Sequence, residues 1–214
     1  MRWSAFLFFA AISISAIAVY RVSNISTTNK KGTQGIGRSV TNKRSVTQLR
    51  LKQYAADLRL YTIKNNLNSR YCFLIDMQLP SGSKRFFVYD LKNDSILRSG
   101  LVTHGSGINN TTDTIAFSNK PGSNCSSLGK YKIGQSYYGK FGLAYKLYGL
   151  NQANSNAFSR FVVLHSHACV PDNEIAPLNI CQSWGCPTIS PIFLSQVKTY
   201  IDQSKTPVLL WIYK

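Results

Sequence analysis

From Arg70 onward the chain is written in apolar runs of four or five residues, each bounded by turn-forming residues, and this texture points to a β-rich domain. Tyr71-Cys72-Phe73-Leu74-Ile75 and Arg85-Phe86-Phe87-Val88-Tyr89 flank the turn signal Pro80-Ser81-Gly82-Ser83 and read as a hairpin. A further strand is expected through Ile96 to Val102, after the turn at Asn93-Asp94. Phe161-Val162-Val163-Leu164 and Val208-Leu209-Leu210-Trp211-Ile212 have the wholly apolar character of buried strands. Pro191 to Asp202 has room for one short helix. Twelve Tyr and eleven Phe push the same way, because aromatic side chains pack well on a pleated surface. The expectation for 70–214 is a mainly β domain with few short helices.

The first part of the chain has a different character. Met1-Arg2 precedes a charge-free, mostly apolar segment from about Ala5 to Tyr20, and Ala16-Ile17-Ala18 supplies the small-x-small pattern of an export cleavage site. Residues 1–20 therefore read as a signal peptide or, if retained, a membrane anchor. No cysteine follows the apolar run, which argues against a lipoprotein. Residues 21–46, rich in Ser, Thr, Asn, Lys and Gly, read as a flexible basic tether. Leu51, Tyr54, Ala55, Leu58, Tyr61 and Ile63 then recur at helical spacing, and predict one helix over 47–66. The implied location is outside the cytoplasmic membrane, in the periplasm or cell envelope.

The formal net charge of +17 is concentrated at this end: residues 1–70 hold twelve Lys and Arg against a single acid, Asp57. Such asymmetry favours an anionic surface as neighbour. Nucleic acid is not expected, since no zinc-finger spacing, helix-turn-helix or RNA-binding aromatic motif accompanies the charge. A solvated basic tail beside a membrane is the plainer reading.

Reactive side chains cluster in two places, Leu164-His165-Ser166-His167-Ala168-Cys169 and Ser183-Trp184-Gly185-Cys186-Pro187-Thr188. Two chemistries use these residue types. His165, His167, Cys169, Cys181, Cys186 and nearby Asp172 include zinc ligand types, but their spacing is not that of the common structural sites, and no His-Glu-x-x-His helix is present. The second chemistry is a thiol nucleophile with a histidine base, the imidazole taking the thiol proton. Gly185 would then let the backbone approach a substrate carbonyl. His165, at the end of an apolar strand, would be aimed from a rigid support.

The stretch from about Arg70 to Tyr213 resembles the L,D-transpeptidase catalytic domain family, whose pattern is a strand-ending His followed by a Ser/Thr-x-Gly-Cys loop. Here these are His165 and Ser183-Trp184-Gly185-Cys186, and Pro187 places the resemblance in the branch with Ser-x-Gly-Cys-Pro. His104-Gly105-Ser106-Gly107, Phe117-Ser118-Asn119, Ser126-Ser127-Leu128-Gly129-Lys130-Tyr131, Tyr138-Gly139-Lys140-Phe141-Gly142 and Leu147-Tyr148-Gly149-Leu150 extend it. The sequence departs from the wider family at Trp184, where many members have His, and at Pro187-Thr188, where Arg or Asn is common.

The resemblance implies a β-sandwich catalytic domain and a peptidoglycan L,D-transpeptidase without metal or organic cofactor. Cys186 would attack the carbonyl of the third residue of a stem tetrapeptide and release D-Ala. His165 would act as base and then acid, held by the backbone carbonyl of Ser166. The N–H groups of Gly185 and Cys186, with that of Trp184, would form the oxyanion hole. Ser183, His167, Tyr138 and Arg160 complete the candidate substrate-side set, though packing explains Tyr138 as well, and hydrogen bonding His167. An L,D-carboxypeptidase using the same acyl-enzyme, or a non-catalytic wall-binding module, are the alternatives. A papain-type protease is disfavoured, because Cys-Gly-Ser-Cys-Trp is missing.

Two further expectations concern residues outside the dyad. His104 sits in a Gly-rich turn that ordinary loop chemistry explains. With Cys186 free, Cys72, Cys125, Cys169 and Cys181 allow three pairings; Cys169–Cys181 is preferred, since it would close a loop between base and nucleophile.

Overall fold

The computed structural model describes residues 31–108 and 115–214, with side chains from Ser45 onward. The signal or anchor expected at 1–20, and the tether up to residue 30, lie outside the described residues. Among the described residues no helix is long and apolar enough to cross a membrane. The chain divides into two units, Met1–Ser45 and Val46–Lys214, and the second contains the β-sheet.

Helix α1 spans Lys31–Lys64. It therefore begins well before the expected 47–66, and residues 31–46, expected as tether, have helical backbone. Apolar spacing marks a helix only where it recurs, whereas extending an existing helix needs no new nucleus. Within the second unit Leu51, Ala55 and Leu58 are buried, and Leu49, Leu60 and Ile63 face water.

Eight strands follow: β1 (Tyr71–Asp76), β2 (Phe86–Asp90), β3 (Ser95–Gly100), β4 (Gly129–Gly139), β5 (Gly142–Gly149), β6 (Val163–Ser166), β7 (Thr188–Ile189) and β8 (Leu209–Tyr213). Helix α2 occupies Pro191–Asp202, between β7 and β8, with Ser190 as its N-cap, whose side chain accepts from Phe193 N–H. The fold is mainly β, as expected. The predicted hairpin is β1–β2, antiparallel with Phe73 opposite Val88.

The strands form one ladder in the order β3-β2-β1-β8-β4-β5-β6-β7. The last strand lies in its middle, parallel to β1 and antiparallel to β4, so a wholly apolar sequence is buried on both faces. One face of β1 and β8 gives Phe73, Ile75, Leu210 and Ile212 to a core that also holds Phe86, Tyr131, Tyr145, Leu164 and the α2 residues Phe193 and Val197. β2 and β6 lie far apart in the ladder yet share this core, so the sheet curls around it and its halves serve as two layers. The opposite face, Cys72, Leu74, Leu209 and Tyr213, packs on Leu51, Ala55 and Leu58 of α1. The helix thereby covers what would otherwise be an exposed apolar sheet.

The strand expected at Phe161–Leu164 starts later, at Val163. Phe161 adopts φ +57°, its N–H donating to Phe158 O and that of Val162 to Ala157 O. A bulky residue in the left-handed region is a true outlier, and it marks a tight turn immediately before β6.

Leu58 is fully buried and Leu60 is exposed. Leu58→Ala is expected to lower unfolding stability by about 2–5 kcal/mol in chemical denaturation, and Leu60→Ala to change it by no more than about 0.5 kcal/mol. Equal effects would contradict the packing of α1 on the sheet.

Candidate active site

His165 lies within β6, between two partners. It pairs with Ala144 of β5 on one side and, in parallel register, with Thr188 of β7 on the other. The short β6–β7 pairing brings together segments far apart in sequence and sets Cys186 two residues before the strand that faces the histidine.

Both imidazole nitrogens have partners. Nδ1 lies 3.1 Å from the Ser166 carbonyl, which can only accept, so Nδ1 carries the proton. Nε2 is then the acceptor, and the Thr188 hydroxyl donates to it at 3.0 Å. Phe141, at the tip of the β4–β5 hairpin, stacks on the ring at 4.8 Å between centroids and meets His167 edge-on. Burial holds the His165 pKa below its ordinary value, opposed by the Ser166 carbonyl and reinforced by His167.

The Cys186 thiol is half-buried. Val163 N–H donates to Sγ at 3.5 Å, and the thiol faces Phe161 O at 3.7 Å. Burial raises its pKa above the usual thiol value; the Val163 N–H and the nearby Arg160 charge oppose this. Among the described residues no hydrogen bond joins Cys186 to His165. The two groups thus rest as neutral thiol and neutral imidazole, each held by its own neighbours.

Gly185 has φ +113°, and a Cβ there would lie 2.7 Å from Cys125 O. Both backbone conformation and close approach therefore require glycine. The Ser183 hydroxyl donates to Cys186 O at 2.6 Å and accepts Gly185 N–H at 3.2 Å. This corrects one expectation: the Gly185 N–H is engaged by a side chain that folds back on its own turn. The N–H groups of Trp184 and Cys186 meet no acceptor among the described residues, which leaves them as the donors available to an oxyanion.

The loop is fastened to residues 103–107. Ser183 N–H donates to His104 O, Ser106 N–H to Ser183 O, and Thr103 N–H to Thr188 O. The Thr103 hydroxyl donates to Cys186 O at 3.1 Å and accepts Thr188 N–H. His104 is buried, its Nδ1 3.0 Å from Arg85 Nη2. Burial, and then the Arg85 charge, press its pKa down to about 4. His104 therefore stays neutral and belongs to the support of the loop, in line with the turn reading.

Arg160 was expected on the substrate side. Its guanidinium instead donates to Ser118 O, Ser127 Oγ, Ser123 Oγ and Cys125 O. Burying part of a cation needs acceptors, and these tie down the segment that backs Gly185. His167 is exposed, its Nδ1 accepting Cys169 N–H. Tyr138 and Trp184 are each 82% exposed; no hydrogen bond or ring contact joins either to Cys186 or His165 among the described residues. Sequence reasoning missed Thr188, Phe141 and Thr103. Thr188 was visible only as a departure following Pro187, and Phe141 only as part of a Gly-rich hairpin.

Cys169 and Cys181 form a disulfide, the preferred pairing, which takes up two of the thiols a zinc site would use. Among the described residues no group of three or more His, Cys, Asp or Glu could hold a metal ion.

The family model for the L,D-transpeptidase catalytic domain matches residues 42–213, and the chain belongs to that family. No curated protein matches it. Similar solved structures include the helical cell shape determining protein Pgp2 from Campylobacter jejuni, at 12% identity and TM-score 0.43, covering 68% of this chain and 48% of that one. An L,D-transpeptidase from Mycobacterium smegmatis is similar at 12% identity and TM-score 0.37, covering 68% and 59%. L,D-transpeptidase 1 from Mycobacterium tuberculosis is similar at 13% and 0.33, covering 67% and 61%. The chain thus spans between about half and three fifths of the length of these proteins.

A neutral resting pair has a measurable consequence. Alkylation of Cys186 by iodoacetamide, mapped by mass spectrometry, should accelerate with rising pH and show no plateau below the free-thiol pKa of ~8.5. A flat, fast rate from about pH 5 to about 7, the mark of a thiolate–imidazolium pair, would contradict the assignment.

Proposed function

We propose that the protein is a peptidoglycan L,D-transpeptidase that works through a thioester on Cys186. The observation that carries this reading is the setting of His165. Its Nδ1 proton is committed to the Ser166 carbonyl, and its Nε2 lone pair faces the Thr188 hydroxyl, two residues after Cys186. That is the arrangement a general base needs.

The reaction follows from these groups. His165 Nε2 takes the Cys186 proton as sulfur bonds to the carbonyl carbon of the third stem residue. The N–H groups of Cys186 and Trp184 receive the oxygen, which becomes negatively charged; a donor so placed contributes about 3 kcal/mol. Collapse breaks the C–N bond to the terminal D-Ala, whose amine leaves with the proton from Nε2. An amine from a second stem then attacks the thioester, and Cys186 regains its proton. Phe141, packed on the His165 ring, restricts it to the plane in which Nε2 can serve both steps. The chemistry uses no cofactor.

The same proposal places the protein outside the cytoplasmic membrane, carried there by residues 1–20 as cleaved signal or retained anchor. The Cys169–Cys181 disulfide supports this, because such bonds persist in oxidising compartments. The basic charge before residue 70 would then face acidic lipid or wall polymer.

The test incubates the purified protein with stem tetrapeptides and follows products by mass spectrometry. D-Ala release with cross-linked dimers is expected, reduced to background in Cys186→Ala and by roughly 10²–10⁴-fold in His165→Ala. Release without dimers would replace the transpeptidase with an L,D-carboxypeptidase. No turnover by the folded wild type would leave a wall-binding module.

A further inference from the structure

Thr188 is the residue whose side chain hydrogen-bonds the His165 imidazole. We propose that Thr188 is a positioning residue for His165: its hydroxyl, donated to Nε2, holds the imidazole as the Nδ1–H tautomer aimed at the nucleophile loop, and turns aside when Nε2 takes the thiol proton. The inference rests on the acyl-enzyme reading only in naming that proton as the one transferred.

The geometry supports each part. Thr188 is 2% exposed; its N–H is held by Thr103 Oγ1 and its carbonyl by Thr103 N–H. The register sets it opposite His165. Its hydroxyl thus projects from a fixed backbone, and a β-branched side chain has little rotamer freedom. With Ser166 O at Nδ1, Thr188 Oγ1 at Nε2 and Phe141 on the face, the ring is held at both nitrogens and on one side. Loss of the Nε2 partner would leave the tautomer chosen by Ser166 O alone.

A neutral Nε2 has a single lone pair, so the Thr188 hydroxyl and the Cys186 thiol compete for it. The Thr188 proton has a second acceptor, Cys186 O at 3.5 Å. That oxygen already receives Ser183 and Thr103, so at rest the shorter bond to Nε2 is preferred. When the thiol approaches Nε2, the hydroxyl swings to Cys186 O and exposes an oxygen lone pair to the N–H that forms. The S–H bond breaks, the Nε2–H bond forms, and the O–H bond of Thr188 stays intact throughout. A hydroxyl can serve both states because it donates to the neutral ring and accepts from the charged one. Valine, of similar shape, can do neither.

The experiment uses the full chain labelled with 15N-histidine, the His165 signals being assigned by their disappearance in His165→Gln. At neutral pH the wild type and Thr188→Ser are expected to show a single Nδ1–H tautomer for His165. Thr188→Val should show a mixture of tautomers, together with a fall in kcat for D-Ala release of about tenfold and little change in KM, while Thr188→Ser recovers most of the rate. An Nε2–H tautomer in the wild type would overturn the proposal, as would a Thr188→Val protein that keeps the single Nδ1–H form and full turnover. If Thr188→Val does not fold, the wild-type and Thr188→Ser spectra still decide the assignment. The spectra need no substrate, so a protein with the expected tautomer but no activity on wall peptides would retain Thr188 in this role and reject the acyl-enzyme reading.

Discussion

The pairing of β6 with β7 is the contact on which the site depends. It is only a few residues long, yet it sets His165 opposite Thr188 and so fixes where the Cys186 loop lies relative to the base. The bonds from Thr103 and Ser183 to the Cys186 carbonyl then determine how the loop turns, and Gly185 is the residue whose backbone permits that turn. The larger sheet serves this arrangement from behind. β5 supports β6, and β5 with β4 forms the hairpin that lays Phe141 on the imidazole.

The electrostatics run against a preformed ion pair. Burial disfavours charge on His165 and on Cys186 alike, as expected where water is excluded. Arg160 and the Val163 N–H pull the thiol the other way, toward the thiolate. The pair is thus held uncharged at rest, with the Val163 N–H and the Arg160 charge as the groups that favour the sulfur anion. The left-handed turn at Phe161 contributes to this state, since it presents Phe161 O and Val163 N–H to the sulfur. Strain held at such a position is what a functional turn tends to carry.

Much of this was legible in the sequence, and what was not has physical reasons. Apolar runs bounded by turn residues located β1, β2 and β8, because burial is written directly into side-chain type. The His165 and Cys186 segments were legible through the family motif, and Cys169–Cys181 through the advantage of closing the loop between them. The start of α1 was missed because residues 31–46, rich in Ser, Thr, Asn, Lys and Gly, carry no apolar period from which a helix could be read. The start of β6 was displaced because Phe161 looks like any strand aromatic until its φ is seen. Thr188 and Phe141 escaped for a different reason: their partners are residues brought near by strand register, which residue type alone does not report. Arg160 looked like a ligand for substrate, while its neighbours in space are backbone and serine oxygens of 118–127.

The central claim is that Cys186 carries the acyl group. Intact-protein mass spectrometry of the enzyme mixed with stem tetrapeptide, the acceptor amine withheld, tests it most directly. The expected adduct equals the tripeptide acyl group, maps by digestion to Cys186 and is absent from Cys186→Ala. An adduct of the same yield in Cys186→Ala, or one mapped to Cys125 or Cys72, would contradict it.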